Sequence, residues 1–111
     1  MTTETLRKEA QIDTKLFTIG HARKVLIDLG VCKDEEVDER IRRCREENHI
    51  FMPNDIFAAF SVADIASTLN PQVKRNFEKI YGVPYSTVDL IDRAFGGLEI
   101  DPENADLPKT I

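Results

Sequence analysis

Tryptophan is absent and cysteine occurs only twice, at Cys32 and Cys44. Small secreted scaffolds compensate for a thin core with a dense disulfide framework, so a chain this poor in cysteine is expected to keep free thiols. Long apolar runs are missing too. The longest, Ile56 to Ala63, is interrupted by Ser61 and followed by Asp64, far short of the ~20 residues that a membrane-spanning helix needs. Met1 to Gln11 mix acids and bases without the apolar centre of a signal peptide, which makes the cytoplasm the expected compartment and a membrane partner unexpected. Strand-type alternation is scarce, and neither an internal repeat nor a low-complexity tract is present.

What remains is ordinary for one globular domain. Of 111 residues, 41% are hydrophobic and 32% charged, and a chain of this size buries roughly 65% of the surface that its unfolded form exposes. One self-supporting core is expected. The formal charge of -5 repels polyanions at long range, which disfavours nucleic acid unless positive charge is segregated on one face.

Punctuation marks out helices. Thr18 suits the cap of a helix from Ile19 to Leu29, in which Ile19, Ala22, Val25, Leu26 and Leu29 recur at helical spacing before Gly30. A second helix runs from Asp34 to about Glu47. Its acids lead, its arginines trail, and a narrow stripe of Val37, Ile41 and Cys44 faces inward. The segment Met52 to Leu69 is apolar on every side, as central helices are; Ser61 and Asp64 also match a capping pattern that would split it near Phe60, but one helix is the preferred reading. Asn70 and Pro71 open the next helix, with Val73, Phe77 and Ile80 as its inner face and Gly82 as its end. Ser86 and Asp89 form a further capping box, followed by the stripe Val88, Ile91, Ala94 and Phe95 up to Gly96-Gly97.

The stretch Ile80-Tyr81-Gly82-Val83-Pro84-Tyr85-Ser86-Thr87-Val88-Asp89-Leu90-Ile91 resembles the turn and second helix of a helix-turn-helix, a likeness that covers about twenty residues, Lys74 to Arg93. Phe77, Tyr81, Val83, Val88 and Ile91 stand on its apolar positions and Gly82 on its turn glycine. Glu78, however, occupies the position where a small residue lets the two helices approach, and Pro84 removes a backbone donor. An overlapping register places Ala66 at the small position but Pro71 at an apolar one. Between Pro71 and Phe95, four bases face three acids, a net of +1, which is little for a surface that must meet phosphates.

Catalytic and metal chemistry have weaker footholds. Arg40, Arg42, Arg43 and Arg45 are dense, but Glu36, Asp38 and Glu39 stand four residues before Arg40, Arg42 and Arg43, the spacing at which a solvated helix face neutralises itself. His21, Cys32, Cys44 and His49 lack the close pairs from which zinc sites are built. No serine or cysteine sits in a local motif with a histidine and an orienting acid. Asp89 with Asp92, and Asp101 with Glu103, read as exposed carboxylates; the acids between Glu99 and Asp106 lack the glycine and terminal glutamate of a calcium loop.

The sequence therefore implies an all-α protein: a single compact bundle of about five helices over 16–97, preceded by a weakly ordered 1–15 and followed by an extended or mobile acidic segment, 98–111, that contains Pro102 and Pro108. It implies a non-enzymatic interaction or regulatory module without metal or cofactor, docking another protein or a second copy of itself. Tyr85 beside Pro84 is the expected exposed anchor, in a surface of Val83, Pro84, Tyr85, Ser86 and Thr87. The alternative is a DNA-binding regulator reading through Ser86, Thr87, Asp89 and Arg93.

Overall fold

A computed structural model describes residues 16–48 and 51–108, so the expectations for 1–15, His49 and 109–111 lie outside the described residues. Helix α1 (Ile19–Asp28) is opened by Thr18, whose Oγ1 accepts the His21 amide at 3.3 Å while His21 Nδ1 accepts the Thr18 amide at 3.0 Å. Histidine thus performs the return half of a capping box, a task usually given to glutamate or glutamine. At the other end Asn76 donates to the Leu29 carbonyl at 2.9 Å, and Gly30 turns the chain at φ 74°.

Helix α2 (Val37–Glu47), entered through a single 3₁₀ turn at Asp34–Glu36, buries the expected Val37, Ile41 and Cys44. Its ion pairs differ in part from the spacing rule. Glu39 binds both Arg42 and Arg43, and Asp38 turns away to Arg23 of α1, which also holds Asp34 at 3.1 Å. An arginine on the neighbouring helix competes with the local partner, and here it wins.

Helix α3 (Asp55–Leu69) is one unbroken helix. Its cap is Asn54, which accepts the Phe57 amide at 3.1 Å, so the Ser61–Asp64 pattern does not act as a helix start. Helix α4 (Pro71–Tyr81) begins as expected on Asn70 and ends at Gly82, φ 74°. Its inner face is Val73, Phe77 and Tyr81 rather than Ile80, which is 47% exposed. The correction follows from the four-residue steps: Phe77 and Tyr81 rings pack with centroids 4.7 Å apart, tilted by 41°, and Ile80 is rotated off that ridge.

Helix α5 (Thr87–Asp89) is capped by Ser86 and runs directly into a wider π-type stretch, Leu90–Ala94, closed by the Phe95 amide on the Leu90 carbonyl at 3.0 Å. The extra residue in that turn brings Leu90, Ala94 and Phe95 onto the buried face. Val88, expected in the stripe, is 66% exposed and Ile91 is half-buried.

These helices make the expected all-α bundle, with α3 packing against α1, α2 and α4 and against the Leu90–Ala94 stretch. Phe77, Phe95, Leu26, Leu29, Ile41, Ile56 and Leu90 are its largest fully buried side chains. The following residues correct an expectation. Instead of extending away, 98–108 fold back: Ile100 pairs with Phe17 in an isolated parallel bridge, Pro102–Asn104 form a 3₁₀ turn capped by Asp101, and Ala105 is buried. Among the described residues, no helix is long and apolar enough to cross a membrane.

Candidate interaction surface

Two carboxylates on α3 organise the polar contacts around it. Asp55, in the first turn, is itself buried and accepts from Arg45 Nη1 at 2.6 Å and from the Leu107 amide at 2.7 Å. Arg45 continues to Asp106 at 3.0 Å and to the Met52 carbonyl at 3.3 Å, and Asp106 accepts the Asp55 amide at 3.0 Å. A helix amino terminus favours such a carboxylate through its free amide and its dipole. The Asp55 hydrogen bond, helped by both carboxylates, raises the Arg45 guanidinium further above its usual value. A cleft of about 700 Å³ lies beside this cluster, lined by Asp38, Arg42, Arg45, Glu46, Asp55, Leu107 and Pro108. In the turn that leads to it, Asn104 and the Glu103 amide hold the Asp101 carboxyl below the usual carboxylate range.

The second carboxylate, Asp64, receives the Tyr85 hydroxyl and, at 3.1 Å, the Thr87 hydroxyl. Tyr85 packs edge-on against Phe77, ring centroids 5.4 Å apart, with the Lys74 ammonium 5.8 Å from its own ring centroid. Burial first, and the Asp64 hydrogen bond second, raise the phenol above its ordinary value.

The residues expected at the docking turn are thus placed unequally. Pro84 and Thr87 are exposed; Val83, Tyr85 and Ser86 are half-buried. Tyr85 is therefore not an exposed anchor, because its hydroxyl is drawn back to Asp64 and its ring to Phe77. The residues expected to read DNA are bonded to one another or to α3. Ser86 accepts the Asp89 amide at 3.0 Å and donates to its carboxylate at 2.9 Å, Arg93 pairs with Asp89 at 3.2 Å, and Thr87 lies on Asp64. Glu78 is exposed, and α4 and the Leu90–Ala94 stretch each pack on α3 rather than chiefly on each other, so the close approach of a helix-turn-helix pair is missing.

The sequence pointed to the turn and overlooked the side of α3. Phe57, Ser61, Ile65 and Leu69 follow one another at four-residue steps along one ridge; Phe57 and Ser61 are half-buried, Ile65 is 51% exposed and Leu69 78%. Half-buried Val62 and Ala66 adjoin it, and exposed Val88 follows Thr87 where α5 meets α3. The signal for it in the sequence is a helix without a polar face, the pattern of a central helix. Among the described residues, no group of three or more His, Cys, Asp or Glu is arranged to hold a metal, and every buried side-chain nitrogen or oxygen has a partner. Comparison with protein-family models, with curated proteins and with solved structures gave no match.

Proposed function

We propose that this protein is an interaction module that docks an amphipathic helix of another protein along the outward ridge of α3. One observation carries the reading: Ile65 is half exposed and Leu69 mostly exposed on a helix whose other faces already fill the core. Full burial of a large aliphatic side chain contributes roughly 1.5–3 kcal/mol, and the part that Ile65 and Leu69 forgo, about half for the first and most for the second, is what a partner's apolar stripe would recover. A ridge at four-residue steps suits the groove of a second helix. The net charge of -5 favours basic flanks on that partner. The turn at Val83 to Thr87 then sets the edge of the surface and fixes α5 against α3, while Tyr85 supports it from behind.

A peptide helix with a leucine stripe and lysine flanks is the probe. In an NMR titration, shifts should concentrate on Phe57, Ser61, Ile65, Leu69 and Val88, and Leu69→Lys should weaken binding at least about tenfold, the loss of one well-packed anchor. Shifts spread evenly over the acidic surface would reject the ridge. Duplex DNA titrated in parallel tests the regulator alternative, which predicts binding that declines steeply with salt and involves Arg93.

A further inference from the structure

Residues 99–108 form a strap held at two places. Near its start, the Phe17 amide donates to the Glu99 carbonyl at 2.7 Å and the Asp101 amide to the Phe17 carbonyl at 2.9 Å. At its far end, Asp106 is seated on the Asp55 amide and Arg45, while the Leu107 amide returns a bond to Asp55. That socket recognises a carboxylate followed by a backbone donor, here Asp106-Leu107, and the strap brings Glu99, Asp101, Glu103 and Asp106 without a single base. Between strap and bundle, three consecutive residues adopt the left-handed region: Gly96 at φ 59°, Gly97 at φ 70° and Leu98 at φ 60°. The two glycines adopt it freely, but Leu98 carries a Cβ that this conformation crowds.

We propose that the strap is exchangeable: residues 99–108 of one copy seat on Phe17 and in the Arg45–Asp55 socket of a second copy, with 96–98 opened into a straight connection and a reciprocal two-fold dimer as the product. Every strap contact with Phe17 and the socket is the same in the closed monomer and in the exchanged dimer; only the bonds inside the hinge, the Leu98 amide on the Phe95 carbonyl at 2.9 Å and the Glu99 amide on the Gly96 carbonyl at 3.5 Å, pass to water. The balance is therefore set by the hinge, whose strain opposes closure and whose two backbone bonds favour it, and by the loss of translational freedom, which opposes association. A tight, strained hinge beside a self-complementary docking site is the arrangement that favours exchange. The proposal is independent of the α3 ridge, which takes no part in it.

The test uses full-length chains and light scattering after partial unfolding and refolding. Gly97→Ala comes first, because no atom lies within 4 Å of the added methyl and the substitution acts only through the positive φ. Two hinges are relieved per dimer, so its association constant should rise at least about tenfold over the unaltered chain. A complementary pair then identifies the contact. Arg45→Asp and Asp106→Arg each bring like charges together at the latch, but in a mixture the altered strap meets the altered socket and the native strap meets the native socket. The mixture should give a one-to-one heterodimer by native mass spectrometry, with each variant alone remaining monomeric. A Gly97→Ala chain that stays monomeric at millimolar concentration overturns the proposal, even where the charge-reversed chains fail to fold. Dimers formed by Asp106→Arg alone would also overturn it, since they would need another interface.

Discussion

The two carboxylates of α3 do the same topological work by different means. Asp55 ties in the strap through Arg45, two backbone amides and Asp106, with Arg45 and Asp106 side chains 36% and 58% exposed. Asp64 ties in the turn before α5 through neutral hydroxyls, against the Phe77 ring. Water reaches both sets, since Thr87 is exposed and Tyr85 half-buried, but the first joins full charges that salt screens, whereas the second is backed by the fully buried Phe77 ring. The strap should accordingly be the looser element, responsive to salt, and the turn should behave as part of the core.

Substitutions can break that contrast, and the largest effect falls on the aromatic side. Phe77→Ala removes a fully buried ring that Tyr81 and Tyr85 both touch, and should lower stability by about 3–5 kcal/mol in chemical denaturation. Tyr85→Phe keeps the ring but takes a hydroxyl from Asp64, leaving Thr87 as its donor from that turn; about 1–2 kcal/mol should be lost. The same phenol sharpens the contrast through pH. Its folded value is raised, so the folded protein keeps a proton that the unfolded chain releases. Stability is at its full value below about pH 10 and declines as pH rises through the folded value. Tyr81, also raised by burial, adds to the alkaline loss, so Tyr85→Phe should reduce that loss without abolishing it. The smallest effect belongs to the strap. Asp106→Ala should cost less than about 1 kcal/mol, and its deficit should shrink further as salt is added. A deficit equal to that of Tyr85→Phe and insensitive to salt would erase the distinction.

Much of the bundle was legible because helix ends carry local signals. Thr18, Asn70 with Pro71, Gly82 and Ser86 act within three residues of their own positions, and each does so in the fold. Side-chain direction was harder to read. Tyr85 looked exposed because nothing near it in sequence could hold it; its partners Asp64 and Phe77 come from α3 and α4. The strap looked extended for the same reason, since proline and acids describe a chain with no local structure while Arg45 and Asp55 lie 61 and 51 residues from Asp106. The inner faces of α4 and of the Leu90–Ala94 stretch slipped where a tilted ring pair and a wide turn shifted the ridge off its ideal period. The apolar ridge of α3 was visible as composition, but composition alone does not separate a core face from a docking face.

That separation is the centre of the account, and denaturation of the Ile65→Lys, Leu69→Lys double variant measures it most directly. With both side chains on the exposed ridge, its unfolding free energy should stay within about 1 kcal/mol of the unaltered protein. A loss of several kcal/mol would mean that the ridge belongs to the core, which contradicts the proposed docking surface.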